Sequence, residues 1–191
     1  MKPSNKLLGT AGLLGAPGLF LQLSVCQRDG VMNSSLGGFF DLLYMLGWMC
    51  SIVGILRIQA TGNKRSGIAL LYVQLALLCV ANVWNVWVII DPSANSTMFL
   101  ILDMFWPLSN VCMLATGIVV AVTGRLKGWQ RYAVLFAGLW LPFAMGLYWL
   151  AGSSTVSFYI TSIYSVVAWS LVALVVFTSG EKNDAKPQLA I

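Results

Sequence analysis

Apolar runs of about twenty residues or more recur six times along the chain, at approximately 7–25, 36–60, 67–90, 98–123, 132–152 and 156–178, and short polar stretches separate them. A bilayer core is roughly 30 Å thick, and a helix of about 20 residues crosses it with every backbone group bonded internally. The pattern therefore predicts an all-α integral membrane protein. It forms one domain, residues 1–180, a bundle of six transmembrane helices followed by a polar tail at 181–191.

The first run imitates a signal peptide, with a basic start, an apolar middle and Leu23-Ser24-Val25-Cys26 resembling a lipidation box. Val25 is larger than the small residue such a box needs before its cysteine. The segment is expected to stay as the packing partner of the second run. Gly12 and Ala16 give it a smooth face for close helix approach, with Pro17 as a kink.

A shift of 62 positions superimposes the second and fourth runs. Asp29 then matches Asp91, Asn33-Ser34 matches Asn95-Ser96, Asp41 matches Asp103, Cys50 matches Cys112 and Thr61-Gly62 matches Thr123-Gly124. A weaker third copy runs from Ser153 to Gly180. Fixed-period similarity is the mark of one structural unit reused, here three helical hairpins opening to the outside. Membrane grammar alone would repeat an apolar span and a glycine stop, but it does not dictate Asp, Asn and Cys. Gly62, Gly124 and Gly180 are expected to stop their helices.

Charge orients the bundle. Lys2, Lys6, Arg57, Lys64, Arg65, Arg125, Lys127, Arg131, Lys182 and Lys186 fall on one side of the predicted membrane, and only Arg28 on the other. The bias of lysine and arginine to cytoplasmic loops puts both termini in the cytoplasm of a cell or inner membrane. Asp29, Asp41, Asp91 and Asp103 lie in or near the outer side, which is therefore locally acidic. Asn33-Ser34-Ser35 and Asn95-Ser96-Thr97 there match glycosylation sequons, and read equally as turns.

Composition then narrows the chemistry. With 59% hydrophobic and 9% charged residues the chain is far more apolar than a soluble domain, and its net charge of +5 belongs to membrane loops rather than to a nucleic-acid surface. There is no histidine, which removes the usual haem ligands, most zinc sites and a Ser-His-Asp triad. No cofactor is expected. Cys26, Cys50, Cys79 and Cys112 have no paired spacing and are expected to act as small apolar residues.

A carboxylate facing lipid is costly, so Asp41 and Asp103 are expected to face the bundle interior or water. Helical spacing puts Tyr44 and Trp48 on the face of Asp41, and Trp106, Pro107 and Asn110 on that of Asp103. Asn82 and Asn85 share a face of the third run, with Trp84 at the same level, and Tyr164 belongs to the polar face of the sixth. These ten, Asp41, Tyr44, Trp48, Asn82, Trp84, Asn85, Asp103, Trp106, Asn110 and Tyr164, are the candidate ligand-binding set. They describe an outward-opening pocket for a small cationic or neutral solute, which is bound and on a stronger reading transported.

The competing account makes the rings an aromatic belt and the amides glue between helices. The protein would then be a non-catalytic structural subunit, whose partner beyond the lipid bilayer is a second copy or another membrane protein. An intramembrane enzyme using paired aspartates has the least support, because no serine or cysteine stands beside an evident base.

Overall fold

In a computed structural model, which describes residues 4–29 and 33–184, all regular structure is helical. Nine helices occur among the described residues: α1 (Asn5–Gly15), α2 (Gly18–Asp29), α3 (Ser35–Arg57), α4 (Arg65–Ile90), α5 (Thr97–Asp103), α6 (Phe105–Thr123), α7 (Gln130–Gly138), α8 (Trp140–Ala151) and α9 (Thr155–Asp184). Five stretches are long and apolar enough to cross a membrane: Asn5–Cys26, Ser35–Arg57, Arg65–Ile90, Thr97–Thr123 and Thr155–Ser179. The fifth expected span is instead the pair α7 and α8, bent by 46°, and it makes a sixth crossing only if the pair is counted as one. Multi-pass membrane architecture follows at this level.

Pro17 lies in the break between α1 and α2, and proline likewise accounts for the two breaks further along the chain. Pro107 has no N–H to give the carbonyl of Asp103, and the helix breaks at Met104. Pro142 cannot bond Gly138, and the break falls at Leu139. Each of these two disruptions sits three residues before its proline. Backbone groups freed in an apolar phase need other partners, and at the break before Pro142 the Tyr164 hydroxyl donates to the Phe136 carbonyl at 2.8 Å. Trp140 Nε1 likewise donates to the Thr161 carbonyl at 2.9 Å.

The segments follow one another around a ring. α1 and α2 pack on α3, α3 on α4, α4 on α5 and α6, α6 on α7, and α7 and α8 on α9, which closes back onto α1. Small residues let these backbones meet. Gly15 lies against Gly47, so a Cβ on either would come within 2.8 Å of the other's Cα. Gly117 and Gly138 similarly set α6 directly on α7. Inside the ring, Ile52, Ile55, Leu71, Leu78, Val120 and Val172 are fully buried.

At the end carrying the exposed bases Lys64, Arg65, Arg125 and Lys127, Gly62 and Gly124 adopt left-handed backbone with φ of 79° and 66°. Gly124 caps α6 as expected, whereas the C-cap of α3 is Ile58, four residues before Gly62. Gly180 stops nothing: α9 runs through it to Asp184, because a lone glycine is tolerated inside a long apolar helix. The expected tail at 181–191 thus begins as helix, and its residues 185–191 lie outside the described set.

Two of the positions paired by the 62-residue shift hold similar caps. Ser34 caps α3 by accepting from Gly37 N at 2.9 Å, and Ser96 caps α5 by accepting from Phe99 N at 3.2 Å. At the basic end Thr123 Oγ1 lies 3.5 Å from the Thr61 carbonyl, so matching positions touch. The units differ as wholes, since α3 is continuous where its counterpart breaks at Met104.

Candidate functional site: an acidic, aromatic-walled cavity

Opposite the basic end, a cavity of about 320 Å³ opens among α2, α3, α4, α5 and α6. Six of the ten candidate residues line it: Asp41, Tyr44, Trp84, Asn85, Asp103 and Trp106. Asp41 is half-buried on α3 and Asp103 exposed at the end of α5. Two like charges at one apolar cavity repel more strongly than they would in water, and a cation between them offsets both. The break at Met104 sits directly beside Asp103, so the acid lies where the helix path changes.

The walls are largely ring and alkyl surface. Phe99, 3% exposed, packs against Trp84 at 5.3 Å and edge-on against Trp87 at 5.8 Å between ring centroids. Trp106 meets Trp140 edge-on at 5.5 Å, which ties the α6 wall to α8. Below, Tyr44 closes the floor by packing edge-on against Trp169 at 5.7 Å, and Trp169 lies 4.1 Å from Trp48. Such ring pairs hold their geometry beyond what area burial alone gives, about 0.5–1.5 kcal/mol each.

The other four candidates are used elsewhere. Trp48 belongs to the layer beneath the floor. Asn82 donates to the Leu78 carbonyl at 3.0 Å and to Met49 Sδ at 3.3 Å, while its Oδ1 accepts from Asn85 Nδ2 at 3.1 Å. It thereby orients Asn85, the cavity-lining amide. Asn110 turns back on its own helix, donating to the Trp106 carbonyl at 3.0 Å. Tyr164 stacks between Phe136 and Phe143, at 4.5 and 4.8 Å, and bridges the α7 break.

Several lining residues were outside the expected set: Gln22 on α2, Asn33 before α3, and the apolar Leu19, Leu23, Phe99 and Leu100. Gln22 carried a usable signal as a lone amide in the first apolar run. The alkyl side chains carried none, because leucine facing a cavity and leucine facing lipid read alike. Gln74, fully buried, is structural: its Nε2 donates to the Ser109 carbonyl at 2.9 Å, joining α4 to α6. Asp91 organises its loop, accepting from Ser93 N and Oγ at 3.1 and 2.6 Å.

Among the described residues no group of three or more His, Cys, Asp or Glu is placed to hold a metal ion. No protein-family model, curated protein or solved structure matches the chain. The functional reading therefore rests on the cavity.

Proposed function

We propose that the protein binds a small organic cation in this cavity and that the cavity opens to the outer face of the membrane, with the basic end cytoplasmic. The observation that carries the reading is the convergence of Asp41 and Asp103, 62 residues apart in sequence, on one aromatic-walled cavity. Carboxylates supply the charge complement, and Trp84, Trp106 and Tyr44 offer ring faces on which an ammonium group is stabilised by about 0.5–2 kcal/mol. A volume of about 320 Å³ lies at the small end of ligand pockets and suits a small amine. The orientation follows from the lysine and arginine bias of the loops.

Transport is the natural extension of such a site, since Asp103 stands beside a helix break that can absorb movement. The direct test is thermal unfolding of detergent-purified protein against a panel of amines. A ligand at a hundredfold over its dissociation constant stabilises by about 2.7 kcal/mol. Asp41→Asn and Asp103→Asn should each abolish most of that shift. Amine stabilisation that is identical in wild type and both variants would refute the site.

A further inference from the structure

The two sides of the cavity differ in a way that bears on its ligand. Leu19, Gln22 and Leu23 of α2 form one wall, and Leu100, Leu102 and Asp103 of α5 form another. These two walls are not neighbours in the ring, and among the described residues α2 forms no packed seam with α5 or α6 across the cavity. The cavity thus spans a gap between helices that both belong to membrane-crossing stretches. Leu100 marks its edge, lining the cavity while remaining 59% exposed.

Leucines stand on both walls of the gap, with Gln22 among those of α2 and the acids to one side. A hydrated inorganic cation is poorly served there, because hard cations take six or more oxygen ligands and near-octahedral or larger shells. A compact polar amine would leave the leucine walls uncovered. We infer that the ligand is an amphiphilic amine, whose ammonium group sits between Asp41 and Asp103 and whose alkyl chain lies along the leucines of α2 and α5. This rests on the cationic-site reading above and specifies its substrate class.

Terminally brominated n-alkylamines and alcohols of four to eight carbons, added to the full-length protein in nanodiscs, separate the cases. Trp84 and Trp106 line the cavity, so bound bromine quenches a saturable fraction of the tryptophan emission that Trp84→Phe diminishes. The half-saturating amine concentration should fall about fourfold for each added methylene that is buried. Asp103→Asn should raise it at least tenfold at every length, and Leu100→Ala, at an exposed position, should flatten the dependence on length. If chain length has no effect while Asp103→Asn still weakens quenching, the ligand is a compact amine. The amphiphile inference then falls and the cationic site stands. An unchanged length dependence in Leu100→Ala also overturns the inference. If amines and alcohols saturate alike and Asp103→Asn changes nothing, the cationic site itself is wrong, and the inference fails with it.

Discussion

Gly117 and Gly138 face each other's helices across the α6–α7 seam, and an alanine at either tests how tightly the ring is closed. A Cβ on Gly117 would lie 2.5 Å from Leu135 Cα, and one on Gly138 2.5 Å from Leu114 Cα. Ordinary contact begins at 3.4 Å, and the obstacles are backbone atoms that cannot rotate away, so the helices must part by about 0.9 Å. Overpacking of this kind costs about 1–3 kcal/mol, partly offset by the roughly 0.5–1 kcal/mol that alanine gains over glycine inside a helix. The net expectation is a loss of about 1–2 kcal/mol for Gly117→Ala and for Gly138→Ala.

The control lies on α8. Gly146 has nothing within 4 Å of its would-be Cβ, so Gly146→Ala should be neutral or stabilising by up to about 1 kcal/mol. The double variant on the seam should lose less than the sum of the singles, because a seam opened for one methyl has already made room for the other. Reversible unfolding in mixed micelles, followed by far-ultraviolet circular dichroism, measures all four. Equal stabilities for Gly117→Ala and Gly146→Ala would refute the close approach of α6 and α7.

Three further outcomes are expected. Thr116→Val should raise stability by about 1 kcal/mol, since Thr116 is fully buried with no hydrogen-bond partner for its hydroxyl; a fall of that size in the same unfolding assay would show that the hydroxyl is bonded. At Gly124, with φ of 66° and only the Arg131 guanidinium near its would-be Cβ, stability should decline in the order Asn, Ala, Val, following the cost of left-handed backbone; a valine variant as stable as the asparagine one would contradict that conformation. Asn82→Ala should weaken amine binding through Asn85, which it orients, while Asn110→Ala should leave binding unchanged, because Asn110 bonds only its own helix; thermal shift with a saturating amine compares them.

The apolar runs foretold the helices because a bilayer forces backbone groups to bond within the segment, which ties length and composition to crossing. The broken fifth segment was less legible: Pro142 marked it, but a proline says nothing of the angle its neighbours will accept. The depth and helical phase of Asp41 and Asp103 pointed to one end of the bundle, and both line the cavity there. Spacing could not show whether an amide faces a cavity or its own backbone. Asn85 and Asn110 look equivalent in sequence, yet one lines the cavity and the other bonds four residues back. Tyr164 is a related case, since its phase matched other polar residues while its hydroxyl bonds the Phe136 carbonyl near the break between α7 and α8.

Among the described residues, those lining the cavity lie between Leu19 and Trp106, and α7, α8 and α9 contribute none. Chains are made and inserted from the N-terminal side. All of the cavity's described lining is therefore made before the last three helices are complete. What comes later is the closure of the ring, when α9 reaches α1 and Trp169 arrives beneath Tyr44. A nascent chain halted after α6 would carry the cavity's walls without the Trp169 support beneath its floor.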